Sequence, residues 1–335
     1  MIETISRDRL VALLHAAADQ RVAIVGDAML DVYLQGEVER ISPEAPVPVV
    51  RVRERRLALG GAANVAQNVV AIGATCELVA AVGRDEGGRL VREMLASMDA
   101  DTRGLVEVDR RTTTKTRVIA RSQQMVRFDE EEDGDLSDAE VARIVERVRA
   151  AVESADAVVL EDYNKGMLSP AVIRTAIEAA GLVAIPVIVD PKYRNFFSYA
   201  GATVFKPNRR ELESALGADV DLEHPEALPS SLRRLGVEHL LLTLGEQGMV
   251  LISDDGEVGR VPTTAREVYD VVGAGDTVTA YLATTMAAGA SAAEASVIAN
   301  FAAGVEVGKL GAATATPDEV LDAYDAFHVV RDAVV

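Results

Sequence analysis

The residues of this chain that are best suited to chemistry lie between Asp270 and Asp276, in the order Asp-Val-Val-Gly-Ala-Gly-Asp. Thr277 and the apolar run 278–286 follow, so we predict that a helix begins here. Small residues let the backbone approach a ligand, and the first N–H groups of a helix are unpaired and attract anions. A carboxylate in such a turn is suited to act as a general base beside a phosphoryl group. A helix N-cap would use the same residues, and the segment alone leaves both interpretations open.

Residues suited to binding hydroxyl groups follow several predicted strands. They are Asp27 and Asp31 after the run 21–25, Gly61 and Asn64 in the Gly-Gly-Ala-Ala-Asn segment 60–64, and Asp162 and Lys165 in segment 161–166. Open α/β sheets bind ligands at the carboxyl edge of their strands, where carboxylates and amides can form hydrogen bonds with a polyol. Turns use the same residue types, so each segment is weak evidence alone. Together they predict a sugar site.

Two further segments are candidates for contacting a nucleotide. Asn208 and Glu211 lie three residues apart where a helix follows a strand, so they share a face and could orient water bound to Mg²⁺. A capping box would look identical. Thr243 and Gly245 belong to a glycine turn that could contact a phosphate or could simply join two strands. The sequence contains neither a Walker P-loop nor a Gly-x-Gly-x-x-Gly fingerprint, so a nucleotide would be held in another way.

The elements that must position these residues follow from the alternation of Val- and Ile-rich runs with amphipathic stretches. This alternation predicts an α/β fold with a mostly parallel sheet and helices on both faces. The predicted strands are 21–25, 77–82, 157–160, 187–189, 239–243 and 249–252, and the predicted helices are 62–72, 87–98, 171–180 and two that begin at 274 and 292.

Two stretches, at about 33–53 and 112–129, break this alternation. We interpret them as strands of a small β lid, which would exclude water from a site on closure. The alternative is a solvent-facing edge hairpin. Since the sequence shows no repeat and no long linker, we expect residues 1–335 to form one domain with a lid.

Composition limits the possible functions. The chain of 335 residues carries 34 Lys and Arg against 53 Asp and Glu, and this net charge of −19 argues against nucleic acid or an anionic membrane as the main partner. An anionic substrate would need a local cluster of basic residues. The single Cys76 excludes an internal disulfide, and the four His show no metal-ligand spacing. We see no signal sequence and no apolar run of membrane-spanning length, so we expect a cytoplasmic protein.

Several of these segments together resemble the ribokinase-like (PfkB) sugar kinases. Segment 270–276 resembles their C-terminal signature, 60–64 their N-terminal Gly-Gly signature and 208–211 their Asn-x-x-Glu motif, in matching order and spacing across nearly the whole chain. The resemblance implies a three-layer α/β sandwich with a small lid. Within the family, the chain is most similar to the kinase domain of the D-glycero-D-manno-heptose 7-phosphate kinases, on segments 26–31, 40–49, 123–129, 162–166, 267–270 and 307–311.

This resemblance implies an activity, which is the ATP-dependent phosphorylation of the anomeric C1 hydroxyl of the heptose 7-phosphate on the route to ADP-heptose and lipopolysaccharide. In many bacteria the kinase is fused to an adenylyltransferase with a His-x-Gly-His motif, which this chain lacks, so a kinase-only form is expected. ATP and Mg²⁺ are the implied cofactors, and K⁺ is a further candidate. A homodimer formed through the lid is implied by analogy.

The resemblance also implies roles for single residues. Asp276 takes the proton from the 1-hydroxyl, and the N–H groups of Gly273, Ala274 and Gly275 stabilise the transferred phosphoryl group. Asp270 would bind a monovalent cation, although the family's usual Thr after it is Val271 here. The nucleotide and its Mg²⁺ are assigned to Asn208, Glu211, Thr243, Gly245 and Asn300, and the sugar hydroxyls to Asp27, Asp31, Gly61, Asn64 and Asp162.

No motif identifies the residues that would hold the 7-phosphate. We predict Lys165, Arg84 and Arg121 for this role, because each lies in or beside a segment that faces the proposed sugar site. The acceptor itself has alternatives: an unphosphorylated sugar, a nucleoside or a fructose phosphate. A non-catalytic sugar-sensing or scaffold protein on the same fold is disfavoured because the base and the glycine turn are both present.

Overall fold

A nine-stranded sheet forms the centre of the computed structural model. The structure describes residues 5–121, 123–222, 229–265 and 268–332. Numbered in chain order, the strands of the sheet are β1 (Arg21–Gly26), β4 (Thr75–Gly83), β5 (Leu105–Val108), β8 (Ala157–Glu161), β9 (Val187–Asp190), β10 (Val204–Phe205), β11 (His239–Thr243), β12 (Met249–Ser253) and β13 (Val258–Val261). Their order is β13-β12-β11-β10-β9-β8-β1-β4-β5. Neighbours from β5 to β11 are parallel, whereas β12 is antiparallel to both β11 and β13.

The strands of this sheet are continuous apolar runs because helices cover both of its faces. In β1, Val22 and Ile24 pack into one hydrophobic core, and the alternate residues Ala23 and Val25 pack into the other. Strand β8 is buried along its whole length. The six strands predicted for this sheet lie within observed ones, and the predicted α/β fold class is confirmed.

The helices divide between the two cores. The first core receives side chains from α1 (Arg7–Ala17), α2 (Ala62–Ile72), α3 (Glu86–Ala96), α8 (Ala274–Ala287), α9 (Ala292–Glu306) and α10 (Pro317–Asp332). The second receives them from α4 (Asp138–Val152), α5 (Pro170–Val183), α6 (Arg209–Leu216) and α7 (Pro229–Leu235). Cys76 is buried in β4. No described helix is both long enough and apolar enough to cross a membrane.

A second sheet of four strands forms the predicted lid. Its order is β3-β2-β6-β7, where β2 is Ala28–Ile41, β3 is Pro48–Gly61, β6 is Thr114–Ala120 and β7 is Gln123–Glu130. Pro43 and Pro46 belong to the stretch 33–53 that the sequence predicts as lid strand, but they lie in the turn between β2 and β3, because proline cannot donate a hydrogen bond to a ladder. That the whole chain is one domain stays a prediction.

The lid joins the large sheet through one short junction. Strand β1 ends at Gly26 and β2 begins at Ala28, while β3 ends at Gly61 and α2 begins at Ala62. The N–H of Ala62 donates to the carbonyl of Asp27 at 3.0 Å, which ties the two crossing points together. Gly61 has φ +57°, and a Cβ there would collide with that carbonyl, so only glycine fits this position.

Candidate active site

The N-terminus of α8 faces the carboxyl ends of β8 and β9. Helix α8 begins at Ala274, as predicted, and Gly273 precedes it with φ +100°. A Cβ at Gly273 would lie 3.0 Å from Nδ2 of Asn64 and 3.2 Å from Oε1 of Glu306, so glycine is required by both the backbone angle and the space. The small residues of this turn therefore allow other polar groups to approach the start of the helix closely.

Asp276 lies in the first turn of α8 and is 5% exposed. Its Oδ2 accepts a hydrogen bond from Nδ2 of Asn64 at 2.6 Å, and its Oδ1 accepts one from the hydroxyl of Tyr163 at 3.1 Å. Burial is the main reason that the pKa of Asp276 is raised to about 6, and the nearby Asp190 adds to it. Its carboxylate is not used as a helix cap, since position 273 has no side-chain cap. A carboxylate with this pKa is suited to general base chemistry near neutral pH.

A group of charged side chains that the sequence analysis missed surrounds Asp276. Residues Gly26, Glu161 and Asp190 lie side by side in the register of β1, β8 and β9. Nζ of Lys206 lies 2.7 Å from Oδ2 of Asp190, and both side chains are buried. Among the described residues, Glu161, Asp190 and Asp276 form a group whose carboxyl oxygens lie within 4.8 Å of one another and could bind a cation.

Glu161 is the least satisfied member of this group. It has no exposed surface, and neither of its carboxyl oxygens has a hydrogen-bond partner among the described residues. Burial, together with the charges of Asp190 and Asp276, raises its pKa well above the usual range. Glu306, behind Gly273, is similar: burial and the charge of Asp270 raise its pKa to about 8. The turn that begins α8 therefore lies among carboxyl groups that favour their protonated forms.

A cleft of about 760 Å³ opens beside these residues, and we call it the central cleft. Its lining includes Tyr163, Asp190, Lys192, Lys206, Asn208, Glu211, Thr243, Gly245, Asn300 and residues Gly273 to Asp276. The structure thus brings the residues predicted for the nucleotide into the same cleft as the predicted base. A volume of this size is typical of a small-molecule or cofactor site.

The nucleotide candidates also have contacts within the protein. Asn208 and Glu211 form a capping box at the start of α6, so the alternative that the sequence left open is present. Glu211 also accepts a hydrogen bond from Lys192 at 2.5 Å. The segment with Thr243 and Gly245 does connect two antiparallel strands, and Gly245 has φ +60°. The amide of Asn300 donates to the carbonyl of Pro262 at 2.9 Å.

The residues predicted for sugar hydroxyls fall into two groups. Asn64 contacts Asp276, and its Oδ1, although buried, has no partner among the described residues. Asp31 lies in β2 against the glycine pair, since a Cβ at Gly60 would be 2.9 Å from its Oδ2, and Gly61 follows at the lid junction. Asn64 therefore contacts the predicted base, while Asp31 and Gly61 lie at the lid junction.

Asp27 and Asp162 instead hold the loop that follows β8. The carboxylate of Asp27 accepts hydrogen bonds from the N–H groups of Tyr163, Lys165 and Met167 at 2.8, 3.0 and 3.2 Å. Asp162 accepts from the N–H of Asn164 and the hydroxyl of Tyr199, both at 2.7 Å. The central cleft is lined by Tyr163 and not by Asp162. Tyr163 is thus the neighbour that faces this cleft, and the binding of a sugar hydroxyl by Asp162 stays a prediction.

Of the three cations predicted for a second phosphate, Lys165 and Arg121 lie toward opposite ends of strand β6. Nζ of Lys165 lies 2.9 Å from Glu131, close to Lys115 at the start of β6. Arg121 follows the other end of β6, with φ +49°, and seven residues of strand span roughly 20 Å. Arg84 is an exposed side chain that lies 3.5 Å from Glu107. In this conformation Lys165 and Arg121 are too far apart to bind one phosphate. That any of the three cations binds a phosphate stays a prediction.

Asp270 lies at the start of the signature segment and fastens two loops. Its Oδ1 accepts a hydrogen bond from the N–H of Val272, and its Oδ2 accepts one from the N–H of Gly311, both at 3.1 Å.

Two residues that the sequence did not reveal, Asp190 and Lys206, lie at the ends of short strands. Asp190 is the last residue of β9, and Lys206 directly follows β10. The signal that identified Asp27, a charged residue after an apolar run, could have found them.

Comparisons with known proteins add the family. The model of the pfkB family carbohydrate kinases matches residues 19–319. The bifunctional protein HldE of Caulobacter vibrioides is 45% identical over 320 residues, covering 93% of this chain and 65% of that protein. HldE of Pelobacter propionicus is 44% identical over 315 residues, covering 93% of this chain and 64% of that protein. The chain thus spans slightly less than two thirds of the length of these relatives.

Solved structures show the same fold at lower identity. Phosphofructokinase-2 from Escherichia coli, in complex with potassium, gives a TM-score of 0.78 at 18% identity and covers 92% of this chain and 99% of its own. Ribokinase from Arabidopsis thaliana, complexed with ribose and ATP, gives 0.72 at 22% identity and covers 91% of this chain and 98% of its own. The predicted ribokinase-like fold is confirmed.

Proposed function

The chain belongs to the pfkB family of carbohydrate kinases, and we propose that it transfers the γ-phosphoryl group of ATP to the C1 hydroxyl of D-glycero-D-manno-heptose 7-phosphate. The product would be the 1,7-bisphosphate, a precursor in ADP-heptose and lipopolysaccharide synthesis. The observation that carries the proposal is the buried Asp276 at the N-terminus of α8, held by two hydrogen bonds beside the central cleft. The choice of sugar rests on the sequence segments that resemble the heptose kinases.

Asp276 is proposed as the general base. It would accept the proton of the C1 hydroxyl while the sugar oxygen forms a bond to the γ-phosphorus and the bond from that phosphorus to the β-γ bridging oxygen breaks, releasing ADP. The N–H groups of Gly273, Ala274 and Gly275 begin the helix and would stabilise charge on the transferred group. Phosphoryl transfer depends mostly on positioning and electrostatics, so the base supplies only part of the rate enhancement.

The central cleft fits ATP with Mg²⁺. Glu211 and Asn208 line it, and the unpartnered carboxyl of Glu161 lies within the acidic group beside it. Glu211 uses one lone pair of each oxygen within the protein, which leaves capacity to accept hydrogen bonds from metal-bound water. Mg²⁺ bound here would neutralise charge on the phosphates. Asp270 is proposed for a monovalent cation such as K⁺.

The sugar is proposed to lie between the base and the lid. The free Oδ1 of Asn64 offers an acceptor for a hydroxyl group, and Asp31 offers carboxylate oxygens on the lid side of Gly60. Gly61 is proposed to belong to this group because its backbone passes closely by Asp27 at the junction. Asp27 and Asp162 are proposed to contribute mainly by holding the loop that carries Tyr163.

A coupled assay of ADP release across a panel of phosphorylated and free sugars tests the acceptor. We expect the highest kcat/KM for the heptose 7-phosphate. A preference for a free sugar, a nucleoside or a fructose phosphate would contradict the proposed substrate but not the kinase activity. Binding of a sugar without turnover of any panel member would favour the non-catalytic alternative.

We propose a cytoplasmic location because ATP is the donor, and a homodimer formed through the lid. Large apolar side chains are exposed on the lid strands and their turn, among them Ile41, Val47, Val52, Val126 and Phe128. Apolar surface gathered on one small sheet is typical of a surface that another protein covers. A second copy of the chain is the simplest partner.

A further inference from the structure

We propose that Arg56 and Arg117, two lid arginines that flank Tyr33, bind the phosphate group that the acceptor sugar already carries. This inference deepens the proposed function and depends on it, since it requires a phosphorylated acceptor. It is an alternative to the three cations predicted from sequence, of which Lys165 and Arg121 lie toward opposite ends of β6. The site would recognise a phosphate monoester on the carbon farthest from the reacting hydroxyl.

The register of the lid places these residues in one row. Tyr33 of β2 pairs with Arg56 of β3 on one side and with Arg117 of β6 on the other, so the three side chains share a face of the sheet. The guanidinium carbons lie 4.8 Å (Arg56) and 5.3 Å (Arg117) from the centre of the Tyr33 ring. Stacking on the ring positions both guanidinium groups in the absence of a ligand.

These arginines keep donors for a ligand, in contrast to the lysines nearby. Lys115 pairs with Asp129 and Glu131, and Lys165 also pairs with Glu131. Among the described residues, no carboxylate lies within ion-pair distance of Arg56, and Arg117 uses only Nη1, on Asp31 at 2.5 Å. Since a guanidinium carries five N–H donors, most of the donors of this pair are available for a phosphate.

Tyr33 supplies an independent observation. The residue is 5% exposed, and its hydroxyl has no hydrogen-bond partner among the described residues. A buried hydroxyl without a partner is costly and is uncommon in native structures. A phosphate oxygen held between the two guanidinium groups would give this hydroxyl an acceptor.

Polar groups form a line from this arginine pair to Asp276, so the pair lies at the end of the line that is farther from the proposed base. From Arg117 the line continues to Asp31, past Gly60 to Asn64 on the first turn of α2, and from Asn64 to Asp276 at 2.6 Å. Arg56 reaches the body of the protein, because a Cβ at Gly311 would collide with its guanidinium. A sugar lying along this line would present a hydroxyl to Asp276 and its far end to the arginines.

Arg56→Gln and Arg117→Gln, compared with Arg55→Gln, test the proposal. Arg55 is the adjacent residue of β3, and its side chain lies on the opposite face, in a groove with Leu34 and Glu86. We expect Arg56→Gln to raise KM for the phosphorylated sugar roughly ten- to a hundredfold, the effect of losing a charge-assisted hydrogen bond. The same variant should change KM for ATP and for the dephosphorylated sugar far less, and Arg55→Gln should resemble the wild type.

Each other outcome has a definite meaning. An unchanged KM for the phosphosugar, or an equal loss with the dephosphorylated sugar, would overturn the arginine site while leaving the proposed function intact. A selective rise in KM for ATP would also overturn it and would place the nucleotide phosphates against Arg56. If the wild type uses only unphosphorylated acceptors, both the site and the proposed substrate are wrong. If it prefers a different phosphosugar and the variants lose it, the site stands and only the named sugar is wrong.

Calorimetric titration of the phosphosugar without ATP gives a second readout that does not depend on turnover. Arg56→Gln should weaken this binding by a similar factor, whereas Arg55→Gln should not. Arg117→Gln also frees the carboxylate of Asp31, so its effect on the dephosphorylated sugar is expected to be larger than that of Arg56→Gln. Equal binding by the wild type and Arg56→Gln would contradict the proposal.

Discussion

At the scale of single residues, burial sets the chemistry of Asp276. The carboxyl group of an aspartate in water loses its proton near pH 4. Here desolvation raises the pKa to about 6, while the hydrogen bonds from Asn64 and Tyr163 oppose this rise. The group is therefore mostly ionised at neutral pH and yet basic enough to accept a proton from a hydroxyl that is reacting.

Asp276→Asn should keep the affinity for ATP and sugar but lose kcat. The amide has nearly the same size, and removal of a general base typically costs about 10²–10⁴-fold in rate. Steady-state kinetics combined with calorimetric dissociation constants for both substrates would measure the two effects separately. Near-normal turnover would remove Asp276 from the role of base.

The same substitution should stabilise the protein at high pH. Because the folded-state pKa of Asp276 is raised, protonation favours the folded state, and this contribution is lost as the pH rises through about 6. The neutral Asn variant lacks this loss. Its melting temperature should exceed that of the wild type at pH 8, and the difference should shrink toward pH 4. A lower melting temperature at pH 8 would show that the burial of the charge is compensated by other contacts.

Tyr163→Phe should move the pH dependence of the reaction. The hydroxyl of Tyr163 donates to Asp276 and so stabilises its ionised form. Without it the pKa of Asp276 should rise, and the acidic limb of the kcat/KM profile should shift to higher pH. Tyr193→Phe, at a residue that is 71% exposed, is the control. An unshifted limb would mean that Asp276 does not titrate in the profile.

At the scale of elements, the start of α8 depends on a glycine for two reasons. Gly273 has φ +100° and lies close to Asn64 and Glu306. Gly289, which follows α8, has φ +87° and open space around it. A substitution at Gly289 would therefore introduce backbone strain alone, whereas one at Gly273 would introduce both strain and crowding.

Gly273→Ala should impair the enzyme more than Gly289→Ala, because it should lower activity as well as stability. Both variants carry strain of about 1–3 kcal/mol from the positive φ, but only the first moves polar groups of the site. We expect Gly273→Ala to lower kcat strongly and Gly289→Ala to lower only the melting temperature. Kinetics and thermal unfolding of the pair would check this, and equal kcat values would show that the turn tolerates a side chain.

The elements also explain what the sequence could predict. Val- and Leu-rich runs identify the parallel strands because both faces are buried, and Gly73 and Ser291 mark helix ends through backbone and capping preferences. Lys206 and Asp190 pair across β10 and β9, and only the strand order brings them to Glu161. Strand β10 has two residues, which is too short for any periodic pattern.

Arg56 and Arg117 become neighbours of Tyr33 only through pairings of lid strands that lie far apart in the sequence. No local sequence pattern encodes such pairings.

At the scale of the whole molecule, a chain with a net charge of −19 must gather its cations locally if it is to bind the two phosphorylated substrates proposed for it. The structure gathers Lys192 and Lys206 at the central cleft and arginines on the lid. Composition predicts the need for such a cluster, but it does not say which cations form it, and Lys165, Arg84 and Arg121 stay predictions. Net charge is a property of the sequence, whereas its local distribution depends on the fold.

The proposed lid dimer makes a prediction at this scale. Val52→Lys combined with Val126→Lys, at residues that are 47% and 51% exposed, should reduce the mass measured by sedimentation velocity to that of one chain. Leu182→Lys, on α5 and 88% exposed, is the control and should leave the mass unchanged. An unchanged mass for the double variant would mean that the lid is not the interface.

The junction at Asp27 gives the lid and the base a common pivot. The carbonyl of Asp27 accepts from Ala62, where the chain leaves the lid, and its carboxylate holds the N–H of Tyr163, whose hydroxyl contacts Asp276. A rotation of the lid about this residue would therefore displace a donor of the base at the same time as it moves Asp31. Closure of the lid over the proposed sugar and a change in the basicity of Asp276 would then occur in the same movement, because Asp27 contacts both the lid junction and the loop that holds the base.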